Sequence, residues 1–235
     1  MKKLFLLFVL GILIPMSAMH AEGEVDLIWE AQTYTHPFYE GLPLWSNESN
    51  ITFTAIPHIP SVSPGNIIYR WSKNKTVLGS LSGVGKNSLS FKDTVLSLPV
   101  EVTIDLFLEN GSSPLGSRTV TLKPASPKLL GLENSPLYGL MTNKSVINEF
   151  IIEEDEVTLS AIPLFSTVSK RTAGAFVYTW LTNSGERRVG DSITYRAPET
   201  GGGSASVMVR GENSKIIAQP KNVNFLIKFN EQDAL

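Results

Sequence analysis

"IIYRW" at Ile67–Trp71 and "FVYTW" at Phe176–Trp180 decide how this chain is read. In each, an apolar residue, a tyrosine and a tryptophan stand two apart, which on a strand turns all three to one face. Such a face is either half of a buried core or a flat platform for a ligand such as a sugar. Both copies keep Y-x-W and the apolar alternation around it. That fits a core better than a platform, because a duplicated binding residue is freer to drift than a packing one. A buried indole removes roughly 150–250 Å2 of surface from water, worth several kcal/mol at about 25 cal/mol per Å2. In a chain without cysteine, packing of this kind must replace disulfide staples.

The repetition extends well beyond these two pentapeptides. "ITFTAIPHIP" at Ile51 returns as "VTLSAIPLFS" at Val157, "NSLSF" at Asn87 as "DSITY" at Asp191, and "VEVTI" at Val100 as "ASVMV" at Ala205. "PFYEG" at Pro37 returns loosely as "PLYG" at Pro136. The offset is 106 residues at Ala55/Ala161 and 109 at Tyr69/Tyr178, the difference being one lengthened loop. Shared pieces in one order mark a tandem duplication. Between the copies, "LKPASPKLL" (Leu122–Leu130) carries two prolines, which favours a short, semi-rigid joint over a tether.

Within each copy the apolar period is two. Ile51, Phe53 and Ala55 share a face against Thr52 and Thr54, as do Val157, Leu159 and Ala161 against Thr158 and Ser160. Strands with one wet face belong to antiparallel sheets. Turn clusters such as "IPSVSPGN", "NGSSPLG" and "APETGGG" cut the chain into short strands, which predicts a β-sandwich per copy. The expected fold is all-β: residues 1–21 as a signal peptide or N-terminal anchor helix, then one sandwich over 24–124 and another over 127–230.

In "TAIP…YRW…VEVTI" and "SAIP…YTW…SVMV" the chain resembles bacterial extracellular immunoglobulin-like or PKD-like domains, in the tandem form found in uncharacterised exported proteins of candidate-phylum bacteria. "WSKNKTVLG" and "WLTNSGERR" depart from the turn that follows the tryptophan strand in PKD domains, which favours the immunoglobulin-like label. The resemblance implies a cell-surface or cell-envelope protein and specifies no reaction.

The opening "MKKLFLLFVLGILIPMSAMHAEGE" has the lysines, apolar run and small residues of an export signal. Uncleaved, it would anchor the chain and be the only contact with the membrane. Losing Lys2 and Lys3 with this segment takes the formal charge from −2 to −4. Without a basic run, the electrostatic case for nucleic acid is absent. Five Asn-x-Ser/Thr triplets read as products of an Asn/Ser/Thr-rich loop composition rather than glycan sites.

Candidate chemistry is sparse. "GSLSGVGKNS" at Gly79 has a phosphate loop's flavour, but its spacing is one residue too long and Asn87 stands where Ser or Thr is required; it reads as a hairpin loop. His36 and His58 lack partners at ligand spacing, so neither a metal nor another cofactor is expected, nor is a catalytic set. "EEDE" (Glu153–Glu156) reads as a solvated charge run protecting a sheet edge, with calcium-dependent stabilisation as the alternative. The aromatic stretch Trp29–Trp45 offers Tyr34, Phe38 and Trp45 as a partner surface, while Tyr39 and Tyr138 read as structural corners. The expected function is a non-enzymatic structural or adhesive module of the bacterial cell envelope, accessory to a surface assembly. Its partner would be an envelope or surface protein. The alternative is a carbohydrate-binding module that meets a glycan through exposed aromatics of the first copy.

Overall fold

A computed structural model describes residues 24–96, 98–152, 155–198, 202–217 and 219–229; the leader expected over 1–21 lies outside the described residues. The first copy runs β1 (Glu24–Ala31), β2 (Asn50–His58), β3 (Ile68–Lys73), β4 (Thr76–Val77), β5 (Gly83–Val84), β6 (Ser88–Lys92), β7 (Val100–Phe107) and β8 (Gly116–Leu122). The second runs β9 (Lys128–Ser135), β10 (Gly139–Ser145), β11 (Asn148–Ile152), β12 (Glu156–Leu164), β13 (Phe176–Thr182), β14 (Arg187–Val189), β15 (Ser192–Arg196), β16 (Gly203–Asn213) and β17 (Lys221–Phe229).

In the first copy the sheet β1-β2-β6 covers the sheet β4-β3-β7-β8, with β5 added to β3. In the second, β10-β9-β12-β15 covers β11-β17-β16-β13-β14. The third strand of each copy's main series pairs with the penultimate one, across the core from the second strand. This is the immunoglobulin-like arrangement. The second copy adds one device: its first segment divides between the sheets, β9 pairing antiparallel with β12 and β11 pairing parallel with β17.

Registers confirm the duplication residue by residue. Trp71 stands opposite Ile104 as Trp180 stands opposite Val209, and Phe53 opposite Leu89 as Leu159 opposite Ile193. Both tryptophans are fully buried, each in the core of its own sandwich. Their polar atoms are matched too. Trp71 Nε1–H donates to the Lys86 carbonyl and Trp180 Nε1–H to the Gly190 carbonyl, both at 2.8 Å. Tyr69 and Tyr178 hydroxyls donate to the carbonyls of Pro64 (3.1 Å) and Arg171 (2.9 Å). Burial is tolerated because each donor has an acceptor. The stretch at Gly79 thus supplies a carbonyl to an indole.

The charge run differs from its expectation. Glu153 and Glu154 lie outside the described residues, and Glu156 opens β12, an inner strand between β9 and β15. It protects no edge; its carboxylate meets Arg196 on β15 at 2.9 Å. This pair is exposed and screened, so it contributes little.

Candidate functional site

The two sandwiches meet through the connection from β1 to β2, and backbone chemistry builds the joint. Tyr34 N–H donates to the Ser166 carbonyl (2.8 Å), and Phe165 N–H donates back to the Tyr34 carbonyl (2.7 Å). Ser46 Oγ donates to the Phe165 carbonyl at 2.7 Å. Phe165 sits at φ 61, a left-handed conformation that costs a bulky residue of order 1–3 kcal/mol and persists only where its surroundings impose it. Here the imposing groups are these three bonds and the Tyr39 ring, edge-on to Phe165 at 5.4 Å. The linker is pinned on the other side: Ala125 N–H donates to the Trp45 carbonyl at 2.7 Å, and Ser46 bridges to Ala125.

Gln219, from the loop between β16 and β17, locks the joint. It is fully buried. Its Oε1 accepts from Thr167 N–H at 2.8 Å, while Nε2 approaches Thr167 Oγ1 (2.8 Å), Ser46 Oγ (3.2 Å) and, closer still, the Asn47 carbonyl. One amide therefore holds the second sandwich's own loop and reaches two residues of the first.

Beside the joint opens a cleft of about 900 Å3 with Tyr34, Pro37 and Pro43 on one wall and Thr167, Lys170 and Arg171 on the other. Arg171 is held in place by an ion pair with Asp191 at 2.8 Å. Burial pushes the Tyr34 hydroxyl above its ordinary pKa, opposed by the Arg171 charge. Burial and then the same guanidinium lower the pKa of His36. These are polar, half-buried groups at a domain junction, a usual place for a ligand cleft. Among the described residues, no group of three or more His, Asp or Glu side chains is placed to hold a metal ion.

The three residues expected to form a partner surface are separated. Tyr34 lines the cleft, and Phe38 is exposed (69%), stacked on His36 at 5.1 Å. Trp45 is corrected: at 2% exposure it belongs to the first core, edge-on to Phe91 at 6.2 Å. The linker at Ala125 bonds its backbone carbonyl, and the buried indole has no face left for a partner. Tyr138 is corrected too; it is 79% exposed, at the tip of the β9–β10 hairpin, and no corner. Ser46 and Gln219, which make the joint, carried no sequence signal, since a lone serine or glutamine in a loop resembles any other.

No family model and no curated protein matches the chain. Among solved structures, three N-terminal domains of the highly immunogenic outer capsid protein (Hoc) of bacteriophage RB49 share 15% identity at a TM-score of 0.42, over 88% of this chain and 59% of that one. The chain thus spans less than two thirds of the Hoc fragment. A chicken interferon gamma receptor alpha chain shares 10% identity at a TM-score of 0.30, covering 77% of this chain and 93% of that one. The central fibronectin-III array of RIM-binding protein shares 11% at 0.26, covering 88% and 69%. The immunoglobulin-like character of the two halves rests on their own strand order and register.

Proposed function

We propose that the chain is an exported, non-enzymatic structural or adhesive module of the bacterial cell envelope, accessory to a surface assembly, built from units over 24–124 and 127–230. The observation that carries this reading is the locked joint. Two sandwiches held by paired backbone bonds, a strained Phe165 and a buried amide keep their far ends at fixed separation and angle, as a spacer or presenting arm requires. Two freely jointed domains would lose that geometry to conformational entropy. The leader supports export, and the partner on this reading is an envelope or surface protein. The likeness of the sequence to candidate-phylum exported proteins, PKD-like ones included, belongs to the same reading.

The test is surface labelling of intact cells with a membrane-impermeant reagent, followed by capture from envelope fractions. Labelling with recovery of an envelope partner supports the reading; a chain confined to the cytosol refutes it.

One observation favours a second reading, a carbohydrate-binding module. The Tyr34 ring and two prolines give the cleft an apolar wall opposite hydroxyls and two basic side chains, a combination suited to a sugar ring and its polar edge. A glycan screen with Tyr34→Ala and Phe38→Ala decides it: binding lost in Tyr34→Ala supports a sugar site in the cleft, and no binding by the unaltered chain removes it.

A further inference from the structure

The joint within the chain has two halves, and the duplication places a counterpart of each half at the chain's opposite ends. Trp29 stands opposite Phe53, and Glu133 stands opposite Leu159; Phe53 and Leu159 are the same repeat position, 106 residues apart. Five residues beyond Trp29 is Tyr34, which exchanges two backbone bonds with the second sandwich. Five residues beyond Glu133 is Tyr138, so by count from these aligned rungs Tyr138 takes the place of Tyr34, although it lies in the β9–β10 hairpin turn and its amide bonds Ser135.

Tyr138 lies 79% exposed beside Leu137 at 85%. Two large apolar side chains at one hairpin tip are a standing solvation penalty. The tip is shaped in advance: Ser135 Oγ accepts from the amides of Leu137 (3.3 Å) and Tyr138 (3.4 Å). On the receiving side, Phe165 and Ser166 exchange the backbone bonds with Tyr34, and Thr167 follows them in the loop. At the 106-residue offset their counterparts are Ile59, Pro60 and Ser61, on the β2–β3 loop at the other end of the first sandwich. Pro60 and Ser61 are exposed and Ile59 is half-buried. Like Phe165, Ile59 is apolar at the loop's start, where it packs partly on the first core; the left-handed residue falls at Phe165 in one loop and at Ser61 in the other.

We infer that the occupant of the Leu137–Tyr138 tip is the Ile59–Ser61 loop of a second copy of this chain, docked head to tail in continuation of the internal joint. The contact uses two different surfaces, so it is heterologous and does not close on itself; copies add in a line. It is weaker than the internal joint for two reasons. The loop between β7 and β8, "NGSSPLG" from Asn110, has no glutamine to play the part of Gln219, and contact between separate molecules lacks the effective concentration that the linker supplies. Association is therefore reversible and grows with concentration. This inference does not depend on the envelope reading, which concerns location and partner.

Sedimentation velocity on the chain from residue 22 onward, across a dilution series, is the test. The expected result is a weight-average sedimentation coefficient that climbs with concentration without levelling at a dimer. Leu137→Asp/Tyr138→Ser blocks the tail and Pro60→Asp blocks the head; all three sites are exposed, so circular dichroism should be unchanged. Each variant alone should remain monomeric, while an equimolar mixture should form dimers and nothing larger, because only one competent tail and one competent head remain per pair. A concentration-independent monomer, an association that stops at a symmetric dimer, or assembly that survives both substitutions would overturn the inference.

Discussion

Removing the side-chain amide of Gln219 is the sharpest test of the joint. Its nitrogen has two hydrogens shared among three acceptors, and its oxygen takes the Thr167 N–H, so three bonds are counted rather than four. At about 0.5–1.5 kcal/mol net for each neutral bond, Gln219→Ala should cost roughly 1.5–4.5 kcal/mol. Part of that is local to the second sandwich through Thr167, so the single substitution does not isolate the joint. A double-mutant cycle with Ser46→Ala does, since Ser46 belongs to the first sandwich; contacting pairs couple by about 0.5–3 kcal/mol. The cycle is read by denaturant unfolding, and small-angle scattering reports the distance between the sandwiches. The variant should show a broadened distance distribution with each sandwich still folded. Energies additive within about 0.3–0.5 kcal/mol, together with an unchanged scattering profile, would refute the claim that Gln219 locks the joint.

Trp71→Phe and Trp180→Phe each orphan a carbonyl, that of Lys86 or Gly190, and should destabilise by about 1–3 kcal/mol from that loss alone, with a void added. Trp45→Phe should be milder in urea titrations, because the buried Trp45 Nε1 has no hydrogen-bond partner among the described residues. Gly211→Ala brings a methyl to within 2.8 Å of the Phe176 ring and 3.2 Å of Leu129; overpacking of this kind costs about 1–3 kcal/mol, and calorimetry should show it in the second sandwich only. His36 has a folded pKa below its unfolded value, so the unfolded chain binds the proton first. Stability should therefore fall as pH drops from the unfolded histidine value toward the folded one. His36→Gln should flatten that acid limb, and an unchanged limb would count against the burial of His36 beside Arg171.

The strands, the duplication and the core role of Y-x-W were legible because each depends on a local period that burial enforces. Trp71 and Trp180 occupy the same position to the level of their N–H acceptors, and the shared "AIP" and "SLSF/SITY" pieces are the paired strands around them. The joint was not legible, because its parts come from segments distant in sequence. Trp45 looked available amid other aromatics, yet Phe91 and the Ala125 linker arrive from elsewhere to cover it. The shared Pro-x-Tyr wording pairs Tyr138 with Tyr39, whereas counting five residues on from the aligned rungs at Trp29 and Glu133 pairs it with Tyr34. Division of the second copy's first segment between two sheets left no trace either, since β9 and β11 each read as an ordinary strand.

The parallel ladder from Asn148–Phe225 to Ile152–Phe229 gives the halves different responses to tension. If the ends of the second sandwich are pulled apart, β11 and β17 are drawn in opposite directions along their length, so their rungs are strained together and fail as a group. The first and last strands of the first sandwich, β1 and β8, lie in different sheets and share no ladder. Under a stretching force the first sandwich should yield at the lower force, leaving the second as the tougher link.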